Sequence, residues 1–91
     1  MAVTVNIPSV LRSSCGGEAE LTLPAHTVRE ALQQIEKTYP QLYRSVCNET
    51  GAVRQHVNLF IDSSLVRGAP DLDRTLSEGE VITIFQAVSG G

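Results

Sequence analysis

Val81-Ile82-Thr83-Ile84-Phe85, followed by Gln86-Ala87-Val88-Ser89-Gly90-Gly91, is the stretch from which the rest of this 91-residue chain is read. Five apolar or β-branched residues in succession predict a strand. Ile82 and Ile84 should turn inward and Thr83 and Phe85 outward, because neighbouring side chains of a strand point to opposite faces. Residues 86–91 are expected to form a flexible tail on a folded body of residues 1–85. Two side-chain-free residues at its tip adopt almost any dihedral and enter a channel too narrow for a Cβ. Fully extended, the tail reaches about 20 Å, enough to place the Gly91 carboxylate deep in another protein's active site. A frayed end has the same composition, so the meaning of Gly90-Gly91 depends on what precedes it.

An apolar final strand needs an apolar neighbour. Val3, Val5 and Ile7 alternate with Thr4 and Asn6 until Pro8 ends regular pairing. Leu11 continues the inner face past that irregularity, Cys15-Gly16-Gly17 supplies turn chemistry, and Leu21 and Leu23 alternate before Pro24, which reads as a hairpin. The first and last strands are the most apolar, which places them side by side at the sheet centre. A parallel pair requires a long crossover, and everything between the hairpin and the final strand provides one.

That crossover begins with Thr27-Val28-Arg29-Glu30, a capping box in which Thr27 and Glu30 satisfy each other's backbone amides. Val28, Ala31, Leu32, Ile35 and Tyr39 then form one apolar stripe, with Arg29, Gln33, Glu36 and Lys37 off it. Pro40 stops the helix. Gln41 to Cys47 adds a short helical piece with Leu42, Val46 and Cys47 inward. Asn48 to Gln55 reads as a surface loop and Val57 to Ile61 as the third strand. A turn at Asp62-Ser63-Ser64 leads to a short strand, Leu65 to Arg67. Leu72 to Leu76 reads as a helical turn, and Ser77-Glu78-Gly79 turns the chain into the last strand. The fold class is α+β, a mixed four- to five-stranded sheet with one main helix across one face, in the beta-grasp (ubiquitin-like) order.

At this length folding hides only about 60 to 65% of the surface, so one core forms and little room remains for an enclosed active site. Composition is ordinary, 42% hydrophobic and 19% charged. A net charge of −3 argues against nucleic-acid binding and suits docking on a basic partner. There is no membrane-length apolar run and no signal-peptide pattern, so a cytoplasmic protein, monomeric when free, is expected. Cys15 and Cys47 fit neither a C-x-x-C nor a metal spacing; Cys15 is expected to be an idle exposed thiol and Cys47 a small core residue. His26 and His56 lack ligands at metal spacing, and Asp71 and Asp73 precede a turn that they would cap. No nucleophile, base and orienting group come together, and no metal is expected.

The beta-grasp pattern, Leu72-Asp73-Arg74-Thr75-Leu76-Ser77-Glu78-Gly79-Glu80-Val81 and the ending Ala87-Val88-Ser89-Gly90-Gly91 together resemble the ThiS/MoaD superfamily of ubiquitin-like sulfur carriers. The usual family ending is Val-Ala-Gly-Gly, so Ser89 stands where alanine is common and Gln86 where proline often stands. Val3-Thr4-Val5-Asn6-Ile7-Pro8 with Leu11-Arg12 and Gly16-Gly17 is similar to the longer, CysO-like carriers of the cysteine-synthesis type.

The resemblance implies a carrier acted on by an E1-like adenylating enzyme, not an enzyme itself. ATP and Mg²⁺ would be used by that partner and no cofactor held by this chain. Sulfide or a persulfide donor would convert the Gly91 acyl-adenylate to a thiocarboxylate, which a sulfur-acceptor synthase would consume. Cysteine, thiamin, molybdopterin and a secondary metabolite all remain open as products. Ordering a tail costs about 1 to 2 kcal/mol per residue, so the body must add docking affinity. Phe60 and Phe85, expected together on the outer sheet face, are the candidate docking patch, with Val88 extended along the partner's channel. Two other readings fit the same ending: a modifier conjugated to proteins through Gly91, and the small subunit of a molybdopterin-synthase-like complex.

Overall fold

The structure is a computed structural model, and its described residues are 2–86. The first strand, β1 (Ala2–Asn6), buries Val3 and Val5, and Ile7 just beyond it is buried as well. It pairs antiparallel with β2 (Glu20–Pro24), Val5 opposite Leu21, and parallel with the last strand, β5 (Val81–Gln86), Val5 opposite Ile82. With β3 (Val57–Ile61) and β4 (Ser64–Leu65), the sheet order is β2-β1-β5-β3-β4. The two most apolar strands therefore lie side by side at the centre, as their composition predicts.

Between β1 and β2 the chain forms a 3-10 helix, Ser9–Cys15, where the sequence suggested only an irregularity. Gly16 ends it in the left-handed region at φ 69°. This turn corrects the expectation for Cys15: its thiol is buried, with Sγ 3.5 Å from the carbonyl oxygens of Arg12 and Glu18. The compact turn carries both Leu11 and Cys15 onto its inner side, so a residue beside a Gly-Gly turn becomes core.

The crossover helix α1 (Val28–Thr38) lays Val28, Ala31, Leu32 and Ile35 against the inner sheet face. Thr27 Oγ1 accepts from the Glu30 N–H at 3.1 Å, half of the expected box. The Glu30 carboxylate reaches one residue further back and accepts from the His26 N–H at 2.8 Å. Pro40 ends α1 and occupies the first turn of α2 (Pro40–Val46), where a missing N–H costs nothing. Leu42, Val46 and Cys47 complete the core from that side.

Three boundaries differ from the sequence reading. The last helical turn, α3 (Ala69–Leu72), lies upstream of the expected 72–76, because Pro70 fits a first helical turn and Leu72 then closes it onto the core. The strand after Asp62 is only Ser64–Leu65, with Val66 N–H still donating to the Leu59 carbonyl. Gln86, assigned by sequence to the tail, is the last residue of β5 and sits opposite Val57.

Candidate functional site

The helices cover one face of the sheet and leave the other open. On the open face, register sets Phe60 beside Thr83 on one side and Leu65 on the other, and Phe85 opposite Asn58. The two phenyl rings meet edge to face, centroids 5.3 Å apart and planes at 85°, a favoured geometry. Phe60 is half-buried, whereas Phe85 remains 53% exposed. Both aromatic rings thus lie outside the core, as alternation along the two strands predicts. Val10, on the 3-10 helix, is the other large hydrophobic residue exposed among the described residues, at 62%.

β5 is held at both ends. At its start, Asp62, with φ 52°, accepts from the Val81 N–H through Oδ1 at 2.9 Å. Arg74 and Glu80 form an ion pair at 3.1 Å, and Glu80 also accepts from the Ser77 N–H at 2.6 Å. At its end Gln86 is in register with Val57. The strand's start is thus fixed by side chains, and its pairing with β3 runs to its last residue. The expectations for Val88, Ser89, Gly90 and Gly91 lie outside the described residues.

The body's two thiols are shielded and several of its charged side chains are paired. Burial pushes the Cys47 thiol up to about 11 and raises Cys15 as well, so neither supplies a thiolate at neutral pH. His26 Nδ1 lies 3.3 Å from Glu30 Oε1, a contact that the i, i+4 spacing announced and the sequence reading passed over. The His26 N–H, followed by its side chain, holds the Glu30 carboxyl below its usual 4.5. Asp71 does not cap a following turn: it lies within α3, and its Oδ2 accepts from the upstream Arg67 N–H at 2.8 Å. Asp73 instead grips Arg29 with both oxygens, at 2.6 and 3.3 Å, which depresses its pKa. No group of three or more potential metal ligands occurs among the described residues. No described helix is long and apolar enough to cross a membrane.

Two clefts matter to placement. One of about 380 Å³ lies between the 48–56 loop and α3, with Val57, Leu59 and Leu72 among its lining and Arg67 beside them. The other, about 240 Å³, is lined by Leu11, Ser45, Arg54, His56 and Gln86, at the root of the tail. The sequence reading missed this second site, because its residues come from four separate segments.

Similarity to known proteins agrees with this geometry. Over its full length the chain is 28% identical to the sulfur carrier protein CysO of Mycobacterium tuberculosis, also matched over its full length. The crystal structure of that protein superposes with a TM-score of 0.83 at 26% identity, covering 94% of this chain and 99% of that one. CysO in the Amycolatopsis orientalis BexX/CysO complex gives 0.85 at 29% identity, covering 98% and 99%. Small archaeal modifier protein 1 of Methanosarcina acetivorans gives 0.80 at 26% identity, covering 99% and 96%. The model of the ThiS family matches residues 5–91, and with the beta-grasp sheet and the Gly-Gly ending inside that match, the chain belongs to the ThiS family.

Proposed function

We propose that this chain is a sulfur carrier whose working group is the Gly91 carboxylate, and that it is a co-substrate and not an enzyme. The observation that carries the reading is the family match running through Gly91, on a body whose two thiols are buried. The likeness to proteins named as sulfur carriers supports it.

Carboxylate oxygen is too poor a leaving group for sulfide to displace. A Gly91 oxygen therefore attacks the α-phosphorus of ATP, held with Mg²⁺ by an E1-like partner, and pyrophosphate departs. Sulfide, or the terminal sulfur of a persulfide, then adds to the acyl carbon. The bond to the AMP oxygen breaks and its electron pair leaves with AMP, giving the thiocarboxylate. With a persulfide the first product is an acyl disulfide, and a thiol must reduce it. An acceptor synthase takes the sulfur for a small metabolite: cysteine, thiamin, molybdopterin or another product.

Docking would use the open sheet face. Phe60 and Phe85 supply apolar area next to the tail root, and Val88, Ser89, Gly90 and Gly91 thread the partner's channel. Ordering the five residues from Ala87 onward costs about 5 to 10 kcal/mol, and the aromatic patch offsets part of it. The complex of A. orientalis CysO with BexX supports docking by a carrier of this kind. The reading places the protein in the cytoplasm, where ATP and its partners would be found.

Likeness to an archaeal modifier protein favours one second reading, conjugation of Gly91 to lysine amines of other proteins. One experiment separates the two. Incubation with the cognate adenylating enzyme, ATP and sulfide is followed by intact mass spectrometry and a denaturing gel. A mass gain equal to replacing one oxygen by one sulfur supports the carrier. Slow-migrating conjugates without that gain support the modifier.

A further inference from the structure

The cleft at the tail root runs against the charge of the molecule as a whole. The chain carries a net −3, yet the described residues that line this cleft, Leu11, Ser45, Arg54, His56 and Gln86, include no carboxylate. Arg54 is fixed in place: its Nε donates to the Arg44 carbonyl at 2.7 Å and its N–H to the Val46 carbonyl at 2.9 Å. Its two terminal NH₂ groups enter none of the three ion pairs among the described residues. The Gln86 amide oxygen is buried with no hydrogen-bond partner among the described residues. Such orphaned groups are uncommon in a finished interior; being an acceptor, this oxygen calls for a partner's N–H or O–H donor and not for its carboxylate.

One exposed apolar residue adjoins the cleft in sequence. Val10 immediately precedes Leu11, and Phe85 immediately precedes Gln86. These are the two large hydrophobic residues left exposed among the described residues. Val10 adjoins the cleft-lining Leu11, whereas Phe85 lies on the open sheet face, the opposite side of β5 from Gln86. A cationic cleft beside an exposed Val10, next to the tail root, fits a complementary protein face bearing a carboxylate beside apolar side chains.

We infer that the cleft is a second docking element for the adenylating partner, beyond the aromatic sheet face: a partner Asp or Glu side chain enters between Arg54 and His56 while apolar side chains of the partner cover Val10. This rests on the sulfur-carrier reading. Its contribution is orientation, because a charge clamp at the root fixes the direction in which the tail leaves the body toward the partner's channel. The position of Val10 on the 3-10 helix makes that helix part of what the partner recognises.

The test is steady-state AMP release by the cognate adenylating enzyme, with the full-length carrier as the varied substrate. Turnover of the wild-type chain tests the carrier reading itself; if there is none, both fall. Given turnover, Arg54→Glu, His56→Glu and Val10→Asp should each raise KM about five- to tenfold, with kcat within about twofold of wild type. Arg74→Glu makes the same charge change as Arg54→Glu at the opposite end of β5, and its KM should stay within about twofold of wild type. Thermal melts confirm folding, and His56→Glu stands in if loss of the Arg54 contact to Arg44 unfolds the chain. An unchanged KM in Arg54→Glu and His56→Glu overturns the inference. So does a lowered KM, which would mean that the cleft holds the chain's own Gly91 carboxylate. An equal rise in Arg74→Glu would assign the effect to overall charge and overturn it too.

Discussion

Replacing Phe85 by alanine removes the most exposed part of the aromatic patch, and the structure sets the size of the effect. A phenylalanine side chain presents about 200 Å², and 53% exposure leaves roughly half of it, about 100 Å², for a partner to cover. At about 25 cal/mol per Å² that is at most about 2.5 kcal/mol, and imperfect coverage reduces it to about 1 to 2 kcal/mol. KM of the carrier for its adenylating enzyme should then rise about five- to thirtyfold. Because the tail and its carboxylate are untouched, kcat should stay near wild type. The free protein also loses the edge-to-face contact with Phe60, worth about 0.5 to 1.5 kcal/mol, so its Tm should fall by several degrees. Steady-state AMP release and a thermal melt on the same preparation read both effects. A lowered Tm with an unchanged KM would refute the reasoning, since the ring would then serve the fold and not docking.

Three further outcomes follow from the body. Cys15 and Cys47 are both buried, with Cys47 pushed up to about 11; iodoacetamide at neutral pH should leave both unmodified in the native protein and alkylate both in denaturant, as read by intact mass. Asp62→Ala removes the Val81 N–H acceptor and puts alanine in the left-handed region. It should cost about 1 to 3 kcal/mol in chemical denaturation, whereas Asp62→Asn, which keeps an acceptor and tolerates that region, should cost less. Glu30 and Asp73 are both held below their usual 4.5 and 3.8. Their stabilisation is complete above those values and lost as pH falls through the lower folded-state values. Stability should therefore decline below about pH 5, and less steeply in the Glu30→Gln/Asp73→Asn double variant, by urea titration at each pH.

Most of the fold was legible because period-2 alternation and one capping signal are local. Val3, Val5, Ile82 and Ile84 announced two central strands, and alternation alone put Phe60 and Phe85 on the open face. What escaped depends on tertiary context. Cys15 looked exposed beside a Gly-Gly turn, and only the 3-10 helix carries it inward. Asp73 looked like a cap, but Arg29, 44 residues away in sequence, takes both of its oxygens. The tail-root cleft gathers Leu11, Ser45, Arg54, His56 and Gln86 from distant segments, a juxtaposition that no spacing in the chain encodes.

The central claim is that sulfur is carried on the terminal carboxyl carbon and that the folded body only presents it. Tandem mass spectrometry of the sulfur-loaded protein, digested under non-reducing conditions, tests this directly. The account predicts that the added sulfur lies on the fragment ending in Gly91 and that deleting Gly91 abolishes loading. Sulfur found as a persulfide on Cys15 or Cys47, or loading that survives the deletion, would contradict it.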